Sequence, residues 1–149
     1  MKNSSKTEYL NSPLGTLKLV YSNRTITAIT FVKEKKKTQN ESTATIQLSE
    51  YFSGKRKKFN IKFFQNCTPF QKKVYEVLLK IPYGETRTYA FIAKQIRIPS
   101  ASRAVGNACK KNKIPIIIPC HRVIGKYKKF NYSSGSQKKK ILMKIEGII

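Results

Sequence analysis

A chain of 149 residues has room for one ordinary domain or two small ones, and its 40% hydrophobic content is enough for a modest core. Lys and Arg number 31 against 7 acids, a formal charge of +24, and such a field concentrates polyanions and speeds encounter with them. No apolar run approaches the roughly 18 residues of a membrane span, the N-terminus has no apolar centre of the signal-peptide kind, and no basic amphipathic helix stands out as a membrane anchor.

The charge is unevenly shared. Residues 1–67 hold 13 bases and 4 acids, whereas residues 68–149 hold 18 bases and 3 acids. Every acid is Glu and none is Asp. The three cysteines are Cys67, Cys109 and Cys120, and the one histidine is His121. An odd cysteine count without a secretory leader points to a reducing cytosol rather than a disulfide framework. With no CxxC, no second His and no Asp, metal-ligand spacing is absent, so no metal and no cofactor is expected.

Taken in chain order, residues 7–32 alternate apolar and polar positions. Leu17, Leu19 and Tyr21 fall on one face, followed by Ile26, Ala28 and Thr30, with Pro13-Leu14-Gly15 and Ser22-Asn23-Arg24 as turns. The pattern predicts a small antiparallel sheet. Lys33 to Thr43 reads as a loop, residues 45–52 as a short helix closed by Gly54, and residues 59–63 as a strand. A linker over 64–68 leads to a helical second half.

Thr68-Pro69-Phe70-Gln71 is a capping-box start with proline at the first helical position. Phe70, Val74, Val77, Leu78 and Ile81 form one apolar face. Pro82-Tyr83-Gly84 ends that helix. A second helix is predicted over 88–96, with Tyr89, Ile92, Ala93 and Ile96 inward, and a third over 101–111 with Ser100 as its N-cap. Two short helices joined by about four residues suggest a helix-turn-helix. Two prolines in the apolar run Ile114 to Pro119 forbid a helix, so it reads as a buried extended segment that delivers Cys120-His121 to a fixed place. Residues 125–135 form a basic, aromatic loop, and a last helix over 136–145 turns Ile141, Leu142 and Ile145 inward.

The Cys120-His121 pair is the chemically suggestive feature. A thiolate is a nucleophile and needs a lowered pKa or a neighbouring base. Imidazole next door can take the proton, directly or through water, and a carboxylate would hold its working tautomer. Acids are few, and Glu146 is one of three beyond residue 67.

Pro119-Cys120-His121-Arg122-Val123 resembles the PCHRV signature of the O6-alkylguanine-DNA alkyltransferases, and Arg103-Ala104-Val105-Gly106 resembles that family's RAVG helix. Asn112 and residues 116–119 keep the spacing between them, Tyr89-Ala90-Phe91-Ile92-Ala93 is similar to its YxxIA, and Ser12-Pro13-Leu14-Gly15 and Tyr51-Phe52-Ser53-Gly54 resemble its N-terminal part. The likeness covers nearly the whole chain.

The resemblance implies an α/β N-terminal domain of ribonuclease-H-like topology over residues 1–66. It implies a mainly α, winged-helix-like C-terminal domain with a helix-turn-helix over residues 67–149. It implies DNA repair by irreversible transfer of an alkyl group from O6 of guanine to Cys120, once per chain, with base flipping. By the same resemblance His121 is the base, acting through water, Glu146 its orienting carboxylate and Asn112 a hinge. Tyr89 acts on the phosphate backbone and the extruded base, and Arg103 fills the gap left in the stack. Ala104 and Gly106 belong to the helix entering the minor groove. Tyr132, Ser133, Val123, Cys109 and Lys139 belong to the substrate pocket. The partner is double-stranded DNA containing O6-alkylguanine, met by a monomer in the cytoplasm, or in the nucleus of a eukaryote.

Several departures from the family pattern stand out. Lys113 stands where a proline is usual, which bears on the hinge turn, whereas Cys109 in place of a larger apolar residue, Ser134 and Phe130 in place of glycines, and a loop between His121 and Tyr132 about one residue shorter bear on substrate breadth. Taken singly, Tyr89, Arg103, Asn112 and Tyr132 have ordinary structural readings as core aromatic, phosphate contact, helix cap and loop packing. Two other functions use the same residues. One is a non-catalytic DNA-binding protein that recognises alkyl damage, which the presence of Cys120 disfavours. The other is a thiol hydrolase, which leaves the helix-turn-helix and the charge unexplained.

Overall fold

The computed structural model describes residues 5–38, 42–126 and 136–149. The chain divides into two compact units, Met1–Gln65 and Asn66–Ile149.

In the first unit, β1 (Ser5–Ser12), β2 (Gly15–Ser22) and β3 (Thr25–Val32) form an antiparallel sheet in that order. Both connections are two-residue turns, and positive φ at Asn23 and Arg24 (51° and 67°) matches the primed hairpin turn that fits strand twist. Leu17 and Leu19 are buried as the alternation predicts. On β3 the prediction fails halfway: Ile26 and Ile29 are buried, whereas Ala28 is half-buried and Thr30 exposed. The cause is a register shift at Val20/Tyr21, where Tyr21 pairs with Ile26 and Val20 with Ala28. The extra residue, Thr27, is a β-bulge that exchanges the two faces of the strand beyond it.

Helix α1 (Thr43–Phe52) begins two residues earlier than predicted because Ser42 caps it: its hydroxyl accepts from Thr45 N, and the Thr45 hydroxyl accepts from Ser42 N. Ala44, Leu48 and Tyr51 bury against the sheet's apolar face. The predicted strand over residues 59–63 is not a strand. It is an extended segment joined to β3 by a single bridge, with Ile26 N donating to Lys62 O at 3.0 Å and Phe64 N to Ile26 O at 2.9 Å. The buried amide of Gln47 holds it from the helix side, accepting from Asn60 N at 2.8 Å and donating to Asn60 O at 3.2 Å.

The second unit packs α2 (Pro69–Leu78), α3 (Tyr89–Gln95) and α4 (Ser102–Lys110) around Val74, Tyr75, Leu78, Ile92, Ala93, Val105 and Ala108. The Thr68/Gln71 capping box and Pro69 start α2 as read. Phe70 and Val77 are only half-buried, and Tyr75 takes the inward place, its hydroxyl donating to Ala108 O at 2.7 Å. The turn after α3 closes by Ile98 N to Ala93 O and Arg97 N to Lys94 O, with Arg97 at φ 64° where glycine is usual. Ser100 does not cap α4: the cap position is Ala101, which offers no side-chain acceptor.

A two-residue parallel ladder absent from the sequence reading joins β4 (Arg87–Thr88) to β5 (Val123–Ile124). It ties the start of α3 to the segment just after Cys120-His121-Arg122. Helix α5 (Ser136–Ile145) buries Lys139, Leu142 and Met143, with Glu146 just past its end, while Ile141 and Ile145 are half-buried rather than inward.

Candidate active site

The run before Cys120 is buried, as expected, but it is not simply extended. Residues 115–118 turn back on themselves, with Ile118 N donating to Ile114 O at 3.0 Å. Ile116 sits at the apex with φ 76°. A β-branched residue in the left-handed region costs on the order of 1–3 kcal/mol. Its side chain is 1% exposed, and burying an isoleucine contributes about 1.5–3 kcal/mol, so burial offsets the strain. Asn112 braces both limbs of the turn: its Oδ1 accepts from Ile114 N at 3.0 Å and its Nδ2 donates to Ile118 O at 2.9 Å. The same carbonyl accepts from Cys120 N at 2.8 Å. Asn112 is thus one carbonyl away from the acceptor's backbone, and Lys113, which replaces the usual proline, leaves this brace intact.

Cys120, His121 and Arg122 form one turn of 3-10 helix, and all three side chains are buried. His121 Nε2 lies 2.6 Å from Glu146 Oε2. Glu146 also accepts from Arg122, Nε to Oε1 at 2.8 Å and Nη2 to Oε2 at 3.1 Å. A carboxylate bound to a guanidinium is an acceptor, so Nε2 carries the imidazole hydrogen. The other ring nitrogen, Nδ1, is buried and makes no hydrogen bond within the described residues. It therefore presents a lone pair, which is what a proton acceptor for a neighbouring thiol requires.

Arg122 was legible only as a letter of a motif, yet it organises the floor of the site. Besides gripping Glu146 it donates from Nη1 to Ile81 O at 2.7 Å, and its guanidinium carbon lies 5.8 Å from the Tyr83 ring centre. Tyr83 donates to Ile145 O at 3.1 Å and Gly84 N to Glu146 Oε1 at 3.1 Å. Gly84 has φ 81°, and a Cβ there would stand 3.2 Å from the Glu146 carbonyl oxygen, so glycine meets both a conformational and a steric need. The sequence signal for this was the Pro82-Tyr83-Gly84 break, legible as the end of a helix and as a stretch resembling the family's helix and turn, but not as a partner of Glu146.

Around the acceptor stand Tyr89, Cys109, Val123 and Lys139. Lys139 is wholly buried, its ammonium donating to Val123 O and lying 6.0 Å from the Tyr89 ring centre. Burial pushes its pKa down, and the Cys120 and Cys109 thiols oppose that shift. Burial pushes the Tyr89 hydroxyl and the Cys109 thiol well above their ordinary ranges, which disfavours the thiolate at Cys109. Gly106 of α4 faces the Tyr89 ring, with 3.8 Å between the ring and the place of a Cβ. Arg103 and Ala104 lie exposed in the first turn of α4, a turn without a side-chain cap or an acid. The structure therefore gathers Cys120, His121, Glu146 and Asn112 at one end of a network, with Tyr89, Cys109, Val123 and Lys139 beside it. Arg103 and Ala104 stand on the surface. Tyr132 and Ser133 lie outside the described residues.

Comparison with known proteins shows the family. Residues 69–148 match the profile described as 6-O-methylguanine DNA methyltransferase, DNA binding domain, and residues 6–64 that described as its ribonuclease-like domain. The chain is 46% identical over 147 residues to a methylated-DNA–protein-cysteine methyltransferase of Methanosarcina acetivorans, covering 91% of this chain and 94% of that one. It is 50% identical over 117 residues to the constitutive enzyme of that name from Bacillus subtilis, covering 77% and 71%. Mycobacterium tuberculosis OGT in complex with DNA superposes with a TM-score of 0.86 at 37% identity, covering 95% of this chain and 92% of that one. The chain belongs to the 6-O-methylguanine DNA methyltransferase family.

The buried imidazole has a consequence for stability. Its pKa lies below its ordinary 6.5, first because burial disfavours the charge and then because Arg122 and Lys139 repel it, with Glu146 opposing. Below 6.5 the unfolded chain takes up a proton that the folded chain refuses. Stability is therefore whole above that value and is lost as pH falls through it, with a slope of at most about 1.4 kcal/mol per pH unit. Urea midpoints between about pH 7 and pH 5 should fall more steeply for the wild type than for His121→Gln; parallel slopes would contradict this.

Proposed function

We propose that this chain repairs double-stranded DNA by taking an alkyl group from O6 of guanine onto Cys120, and that each molecule acts once. The observation that carries the reading is the open Nδ1 of His121, next in sequence to a buried cysteine and held from its far side by Glu146. In the reaction the Cys120 sulfur attacks the alkyl carbon in line with the departing O6. The S–C bond forms as the C–O bond breaks. The thiol proton passes to His121 Nδ1, and guanine leaves with the electron pair and is reprotonated. A thioether is a poor leaving group, so no return step follows.

The reactive carbon sits on a base edge and cannot reach a buried sulfur while the base is stacked, so the nucleotide must be extruded. Tyr89 hydrogen-bonds the extruded base and acts on the adjacent phosphate, and Arg103, at the exposed start of α4, fills the gap in the duplex. Ala104 and Gly106 keep that helix narrow at the minor groove. Uncapped amides of the first turn favour a phosphate nearby. Val123, Cys109 and Lys139 bound the pocket on the protein side, and Asn112 holds the acceptor's backbone. The chain works as a monomer over residues 67–149 for the chemistry, with residues 1–66 as a separate domain, wherever the DNA is held: in the cytoplasm, or in the nucleus of a eukaryote.

Two substitutions test this. Cys120→Ser should abolish methyl transfer and retain binding to alkylated duplex, because a hydroxyl is far harder to ionise than a thiol. Transfer that persists with Cys109 or Cys67 modified would mean another nucleophile. Arg103→Ala should slow repair of duplex by about ten- to a hundredfold, with about 1.4 kcal/mol per factor of ten, and leave the reaction with free O6-benzylguanine nearly unchanged, since only the duplex requires extrusion. Equal slowing of both reactions would make Arg103 a structural residue of α4.

A further inference from the structure

A carboxylate 2.6 Å from a buried imidazole is a hazard as well as a support. On its own it favours the imidazolium, and an imidazolium cannot take the proton of Cys120. Something must let Glu146 orient the ring without charging it. Among the described residues, the charged groups that act on His121 are Glu146 from the end of α5, Arg122 from its own turn and Lys139 from α5, with the Cys120 thiol adjacent in sequence. Tyr83, from the loop after α2, faces Arg122 and Glu146.

We infer that Arg122 is a positioning residue for the transfer step: its fork occupies both oxygens of Glu146, so the carboxylate fixes the orientation of His121 while Nδ1 stays free to take the thiol proton. The geometry is that of a shared acceptor. Oε1 takes Arg122 Nε and Gly84 N, and Oε2 takes His121 Nε2 and Arg122 Nη2. With His121 neutral, the Arg122–Glu146–His121 cluster carries no net charge, and protonating the ring leaves an uncompensated positive charge in a site 0% exposed at His121. The guanidinium cannot swing aside, because Ile81 O holds its third corner and Tyr83 backs it. Lysine would supply the charge but not the fork. The inference rests on Cys120 as acceptor and His121 as its base.

His121 is the single histidine of the chain, so one imidazole spin system in nitrogen-resolved NMR reports its state without assignment. In the wild type at about pH 7 the ring should be neutral with its hydrogen on Nε2. An imidazolium at that pH would overturn the inference whatever any variant does. Single-turnover transfer to Cys120 from an O6-methylguanine duplex, across about pH 5 to 9 and with the adduct located by peptide mass, supplies the second readout. Arg122→Gln should move the acidic limb of the rate profile upward by about one pH unit, so that its deficit at low pH exceeds that at high pH about tenfold. Arg122→Lys should lower the plateau with the limb near the wild-type position. Limbs that superimpose, with only plateaus or folded fractions reduced, would make Arg122 purely structural. A wild-type adduct mapped to a cysteine other than Cys120 would instead overturn the acceptor assignment itself.

Discussion

The carboxylate of Glu146 is where the C-terminal unit converges. It lies just past the end of α5, is 6% exposed, and accepts from Arg122, His121 and Gly84. Through Arg122 the same cluster reaches Ile81 O in the turn after α2. Replacing one partner would strand a buried charge, at a cost of about 3–5 kcal/mol. Glu146 therefore joins, by one set of bonds, the end of α5, the loop after α2 and the turn that carries Cys120 and His121.

A second constraint works from the opposite side of Cys120. The Asn112 amide and the left-handed apex at Ile116 determine where the acceptor's backbone begins, and the β4–β5 ladder determines where the strand after it goes. The cysteine is held at both ends and 3% exposed. A base stacked in a duplex cannot reach a thiol so buried, while Arg103 lies exposed in the first turn of α4. The large positive charge favours encounter with DNA, while in the buried cluster both oxygens of Glu146 are paired and His121 Nδ1 makes no hydrogen bond within the described residues.

The chemistry was legible because the sequence is sparing with reactive groups. One histidine beside one cysteine, no Asp and three late acids left few partners, and Glu146 is indeed the carboxylate on His121. Helix starts were legible where capping chemistry is local, as at Thr68-Pro69-Phe70-Gln71, and misread where a plausible cap lay nearby, as at Ser100. What was hidden depends on non-local pairing. The bulge at Thr27 reverses the faces of β3 without any glycine to announce it, and residues 59–63 have strand composition but find only one bridge. The two-residue ladder between Arg87–Thr88 and Val123–Ile124 is too short to leave a pattern. Arg122 was legible as a letter of the signature but not as a partner of Glu146, because nothing local says that its fork meets a carboxylate 24 residues away.

The most direct test of the account is the intact mass of the wild-type chain titrated with O6-methylguanine duplex, followed by peptide mapping. The account predicts one added methyl group per chain, carried by the peptide containing Cys120, with repair ending at one equivalent of DNA. Binding of the damaged duplex without a change in mass, an adduct on Cys67 or Cys109, or repair continuing past one equivalent would contradict it.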